Sequence, residues 1–136
     1  MKLFNCIICG IEKPTSYSKA NKYCSTECYI EGAYRNKIQK WKDGELTGNK
    51  GINSIQVSGY VRRYIEEKFD YKCACCGQGK EWNGRPLSLQ LEHLDGNSSN
   101  SREENLSILC PNCHTQTEFY GSKNKGNGRG SILKRR

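Results

Sequence analysis

The sequence predicts an α+β protein made of small modules, each stapled by four cysteines. Three observations carry that expectation. Close cysteine pairs stand near the start, Cys6-x2-Cys9 and Cys24-x3-Cys28. Two further pairs, Cys73-x2-Cys76 and Cys110-x2-Cys113, bracket a long insert. Within and after that insert, an alternating stretch, a polar loop, a short apolar stretch and a Pro-led segment read as strand, loop, strand and helix.

Length and composition explain why staples are needed. A chain of 136 residues suits one domain, or one plus a small accessory module. Hydrophobic residues make up 35% and aromatics 10%, which leaves little for a large apolar core. The start, Met1-Lys-Leu-Phe-Asn-Cys, has no long apolar h-region and no small-residue cleavage site. No run approaches the ~18 apolar residues of a membrane span. A cytoplasmic, reducing setting and no membrane partner are therefore expected. There, CxxC pairs hold metal or do redox work, and an odd count of nine cysteines disfavours a closed disulfide set.

The first module, residues 1–30, reads as a zinc finger with Cys6, Cys9, Cys24 and Cys28 as ligands. Four thiolates on two tight turns close a tetrahedron around Zn2+ and leave no open position for chemistry. So short a segment buries too little surface to fold otherwise, and zinc supplies the missing stability. No βαβ pattern surrounds either pair, which weighs against a redox role.

A basic connector follows over residues 31–57. Its first part extends helically from the finger, with Tyr34, Ile38 and Trp41 at i, i+4, i+7, a packing stripe more often than a base-stacking set. Asp43-Gly44 and Gly48-Asn-Lys-Gly51 break the pattern. Ser58 can cap the next helix, Gly59 to Phe69, whose Val61, Tyr64, Ile65, Lys68 and Phe69 share one face. Arg62, Arg63, Glu66 and Glu67 face outward as two i, i+4 pairs.

The second module spans residues 58–121. Cys73, Cys76, Cys110 and Cys113 are the expected ligands of a second structural zinc, and Cys75 is left over as a small packing residue. Trp82-Asn-Gly-Arg-Pro86 is a loop. Leu87-Ser-Leu-Gln-Leu91 alternates as a half-buried strand should, and Leu106-Ser-Ile-Leu109 is its partner. Pro111 opens a helix running to about Tyr120. A Gly- and Lys-rich tail over residues 122–136 is expected to be disordered when free.

Charge is unevenly spread. Residues 1–50 hold nine Lys/Arg against five Asp/Glu, residues 51–120 seven against nine, and residues 121–136 six against none. Basic flanks suit a polyanion, and a slightly acidic centre suits a divalent cation.

The chain has only two histidines, and both fall at marked places. His93 closes the stretch Leu91-Glu-His-Leu-Asp-Gly-Asn97, and His114 follows the last cysteine in Cys110-Pro-Asn-Cys-His-Thr-Gln-Thr117. Together with Arg102-Glu-Glu-Asn-Leu106, these segments resemble the HNH endonucleases, in particular the phage-type, zinc-stapled subgroup, over about residues 60–125. The finger and connector resemble, more weakly, accessory regions of free-standing homing enzymes.

The resemblance implies a ββα-metal catalytic module. It implies a metal-dependent DNA endonuclease, phage-derived and homing- or nicking-like, that leaves 5′-phosphate and 3′-hydroxyl ends. His93 would be the general base, since a neutral imidazole titrating near ~6.5 suits that task. Asn105 would keep His93 aimed. Glu92 and His114 would hold one Mg2+ or Mn2+ ion. The family more often has aspartate before the first histidine, so Glu92 reaches one methylene further. Glu118, a turn beyond His114, reads as surface, and Asp95 as a turn former.

DNA, as duplex, is the expected partner, with Arg35, Lys37, Lys40, Arg62, Arg63, Arg102, Lys123, Lys125 and Arg129 as candidate contacts and Trp41 a further candidate. No small-molecule cofactor is expected, and the chain would act as a monomer or weak dimer in host cytoplasm. The alternative from another class is a non-catalytic zinc module that binds nucleic acid, in which His93 would be dispensable.

Overall fold

The computed structural model describes residues 1–15, 21–51 and 54–121 of the chain. The basic tail, with Lys123, Lys125 and Arg129, lies outside the described residues. The chain divides into two compact units, Met1–Lys40 and Trp41–Arg136. No helix among the described residues is long and apolar enough to cross a membrane.

In the first unit a minimal hairpin carries one cysteine pair. Strand β1 (Leu3–Asn5) pairs antiparallel with β2 (Glu12–Pro14), Phe4 opposite Lys13. Cys6 begins the turn between them, where Gly10 N–H donates to the Cys6 carbonyl and Cys6 N–H to that of Ile11. Helix α1 (Thr26–Lys42) supplies Cys28 from its first turn, and Cys24 precedes it. Gly32 sits mid-helix because a Cβ there would run into the Tyr23 ring. Of the stripe Tyr34, Ile38 and Trp41, Ile38 is buried and Tyr34 only partly so, and Trp41, the first residue of the second unit, is buried as well.

In the second unit helix α2 (Gly59–Lys68) buries Val61 and Ile65 completely. Both i, i+4 ion pairs form, Arg62–Glu66 at 3.2 Å and Arg63–Glu67 at 2.8 Å. The outward-facing expectation fails for the first pair. Arg62 Nη2 donates to the Leu89 carbonyl at 2.7 Å, and Glu66 is half-buried between Arg62 and Lys80. Ser58 occupies the N-cap position, but its hydroxyl makes no capping bond. Lys68 is exposed, off the buried face.

Residues 82–86, expected as a loop, belong to a two-residue-strand hairpin. Strand β3 (Glu81–Trp82) pairs with β4 (Arg85–Pro86) through Asn83 and Gly84, both at positive φ (53° and 72°). Asn-Gly is the dipeptide that type I′ turns require.

Strand β5 (Gln90–His93) starts three residues later than the alternation predicts, because the Leu89 carbonyl is taken by Arg62 rather than by a neighbouring strand. It pairs antiparallel with β6 (Leu106–Leu109), Glu92 opposite Ser107 and His93 opposite Leu106. Leu89 and Ile108 are fully buried. A 3-10 turn, Glu103–Asn105, leads into β6.

Helix α3 (Pro111–Thr115) begins on the proline as expected but stops well short of Tyr120. Thr115 Oγ1 donates to the Asn112 carbonyl and Thr117 Oγ1 to that of His114. These hydroxyls compete with the backbone for the acceptors that a longer helix would use.

Candidate metal and catalytic centre

Two cysteine tetrads form, Cys6/Cys9/Cys24/Cys28 and Cys73/Cys76/Cys110/Cys113, and in each the sulfurs all lie within 4.8 Å of one another. Measured pairs are 3.4 Å (Cys9–Cys24), 3.6 Å (Cys24–Cys28) and 3.7 Å (Cys76–Cys110). A tetrahedron with Zn–S bonds of about 2.3 Å puts sulfurs roughly 3.8 Å apart, so both tetrads fit zinc.

Their electrostatics agree. Burial pushes the Cys73 thiol up, but backbone N–H groups of Cys76, Cys110 and Cys75 outweigh it and bring the value to about 6. Cys113 is pushed far up by its contacts with Cys110 and Cys76. Cys6 likewise falls to about 6 and Cys24 rises to about 12. One thiolate per tetrad is favoured and a second is suppressed, a conflict that a central cation removes. Cys75 is exposed, not packed as expected, and belongs to neither tetrad.

Cys110 links the second tetrad to the histidine that follows it. It follows the last residue of β6 as the N-cap of α3; its sulfur accepts from Cys113 N–H, and its carbonyl accepts from His114 N–H at 2.9 Å. The staple therefore sets where α3 starts, and with it where His114 projects. Glu92, only 7% exposed, reaches across from β5. Its Oε2 lies 2.6 Å from His114 Nδ1, yet that buried nitrogen makes no hydrogen bond. Two donor atoms that converge without hydrogen-bond geometry fit a shared metal ion. The Tyr120 ring meets His114 edge-on, with centroids 5.2 Å apart.

His93 is the last residue of β5, and with Glu92, His114, Gly96 and Ser98 it lines one cleft of about 210 Å³. Burial pushes its imidazole below the ordinary value, partly opposed by the Asp95 charge. Its Nε2 lies 3.3 Å from Ser101 Oγ.

Asn105 is buried and works on the loop after His93 rather than on the ring. Its carbonyl accepts from Leu94 N–H, its Oδ1 from Asp95 N–H, and its Nδ2 donates to Asp95 Oδ1 and the Asn100 carbonyl. Asp95 is a turn former, accepting from Asn97 N–H at 2.8 Å. Glu118 is exposed, and the helix that would have aligned it with His114 has already ended.

Among the candidate DNA contacts, Lys37, Lys40 and Arg102 are exposed, while Arg35 pairs with Glu31 at 3.1 Å. Trp41 is 4% exposed and bonded through its indole to the Ser101 carbonyl, so it is not free to stack on a base. Ser101 and Asn49 escaped the sequence reading. Both lie in Ser/Asn/Gly-rich turns that carry no periodic signal.

No family model matches the chain, and no solved structure matches it. It is 46% identical over 113 residues to "H-N-H endonuclease F-TflIV" of Escherichia phage T5. That alignment covers 83% of the chain but 41% of the relative, so the chain spans less than half the length of the curated protein it matches. Both histidines, Glu92 and a cysteine tetrad assemble around one strand pair, and over most of its own length the chain is similar to an H-N-H endonuclease.

Proposed function

We propose that the chain is a metal-dependent DNA endonuclease of ββα-metal architecture, in which β5, β6 and α3 carry the chemistry and zinc in each cysteine tetrad braces the scaffold. The observation that carries this reading is the convergence of Glu92 Oε2 on the unbonded, buried His114 Nδ1, in the cleft that His93 also lines. A carboxylate and an imidazole, with water completing the shell, are adequate ligands for a hard divalent ion. Glu92 and His114 would hold Mg2+ or Mn2+, and an ion bound there would supply charge neutralisation as the phosphodiester is cleaved.

The chain's own residues do the rest. His93 accepts a proton from water as the water oxygen bonds to phosphorus and the bond to the 3′ oxygen breaks. The 3′ oxygen leaves with a proton from solvent, giving 5′-phosphate and 3′-hydroxyl ends. A ring kept neutral by burial is ready for this at neutral pH. Asn105 holds residues 94–100 so that the loop beside His93 keeps its shape.

Duplex DNA is the substrate, bound through the finger, exposed cations such as Lys40 and Arg102, and the basic tail. One cleft attacks one strand per visit, so a monomer nicks first, consistent with a phage homing or nicking role. Supercoiled plasmid incubated with Mg2+, Mn2+ or EDTA tests the reading. Nicked circles should precede linear product with either cation and be absent in EDTA. Cleavage undiminished by EDTA contradicts it.

A further inference from the structure

Ser101 is 1% exposed, and its hydroxyl meets two polar neighbours. Oγ donates to Asn49 Oδ1 at 2.7 Å and lies 3.3 Å from His93 Nε2. A hydroxyl has one proton to give. With that proton committed to Asn49, Oγ can only accept from His93, which requires Nε2 to carry the ring hydrogen.

The serine is also clamped from behind. Trp41 Nε1 donates to its carbonyl at 2.8 Å. Gly48, beside Asn49, packs so close that a Cβ would lie 2.6 Å from Trp41 Nε1 and 3.1 Å from the Ser101 carbonyl oxygen. Residues 41–49 thus grip Ser101 at both its backbone and its side chain, more than closing a polar loop requires.

We propose that Ser101, oriented by Asn49, is a positioning residue that fixes His93 as the Nε2–H tautomer and leaves Nδ1 as the basic nitrogen. This rests on the reading of His93 as general base. Nδ1 makes no hydrogen bond among the described residues, and the ring lines the cleft. The opposite orientation of the Asn49 amide would hand the proton to the Ser101–His93 contact and give the opposite tautomer. The tautomer therefore reads the whole chain of contacts.

The test is nitrogen-15 NMR of the zinc-loaded full chain, where only two histidines need assignment, combined with steady-state plasmid cleavage. In the wild type at a pH where His93 is neutral, Nε2 should show the protonated, pyrrole-type shift and Nδ1 the pyridine-type shift. The reverse pattern overturns the proposal. Ser101→Ala should move both shifts toward a tautomer mixture and lower kcat about ten- to a hundredfold at unchanged KM. Ser101→Thr, which keeps the hydroxyl, should restore the tautomer.

Wild-type shifts and wild-type kcat in Ser101→Ala would overturn the idea. Should Ser101→Ala fail to fold, Asn49→Ala removes the acceptor while keeping the serine, and the same mixed shifts are expected. Failure of the underlying reading is separable. A wild-type chain that cuts no DNA in Mg2+ or Mn2+ removes the nuclease, while the shifts still decide the tautomer without substrate.

Discussion

The indole of Trp41 donates to the backbone carbonyl of Ser101 across 2.8 Å, a bond between residues sixty positions apart. It ties the start of the second unit to the loop that faces His93, and Gly48 is what allows it. Gly48 takes φ +83°, and its missing side chain is the space the indole fills. Gly48→Ala is expected to cost about 1–3 kcal/mol, from backbone strain plus displacement of Trp41. Gly44 has a similar φ of +81° but open space around it, so Gly44→Ala should cost about 1 kcal/mol, the backbone part alone. Denaturant titration of both variants checks the difference. Equal costs would mean that the close approach contributes nothing.

The 2.6 Å approach of Glu92 to His114 makes a separable statement about metals. Glu92→Gln and His114→Ala should each weaken Mn2+ binding at least tenfold by calorimetry or electron spin resonance. Zinc content should stay near two per chain, because the tetrads use cysteines alone. Zinc lost along with Mn2+ would show one shared site instead of two kinds.

Arg62 was a candidate phosphate contact, yet its guanidinium holds the Leu89 carbonyl and pairs with Glu66. Arg62→Ala is expected to lower stability by about 1–2 kcal/mol, as for other charge-assisted hydrogen bonds, and to leave the salt dependence of DNA binding unchanged. Arg102→Ala should do the reverse, reducing the slope of log K against log salt by about 0.9 if it neutralises one phosphate.

The pH profile follows from the direction of the His93 shift. Burial disfavours the charged ring, so the folded value lies below the ordinary ~6.5. A base must be neutral, so cleavage is full above that lowered value and declines as pH falls through it. The acid limb of kcat/KM should therefore lie below ~6.5. Asp95 opposes the shift through its charge, so Asp95→Asn should move the limb lower still. A limb above 6.5 would contradict the assignment.

Features set by cysteine spacing or by a bounded apolar run were legible; those set by distant partners, by single side-chain bonds to the backbone or by runs of two residues were not. Each tetrad was readable because a CxxC turn chelates locally, and β6 because Leu106–Leu109 is bounded by Asn105 and Pro111. The 81–86 hairpin carried its Asn-Gly signal, but flanking runs of two residues gave no alternation to support it. The start of β5 was misplaced because Leu89 is buried without a strand partner. The end of α3 was misplaced because two threonine hydroxyls take backbone acceptors. At the site, the sequence marks Glu92, His93 and His114, and the three line one cleft. Ser101 and Asn49 were not, since a hydrogen bond between polar turns 52 positions apart leaves no trace in composition or period.

The most direct measurement is cleavage of supercoiled plasmid in Mg2+ by His93→Ala, alongside its zinc content, fold and DNA affinity. The expected result is a rate at least a hundredfold down, with about two zinc per chain and DNA binding retained. A variant that cuts as fast as the wild type would contradict the central claim that this imidazole activates the attacking water.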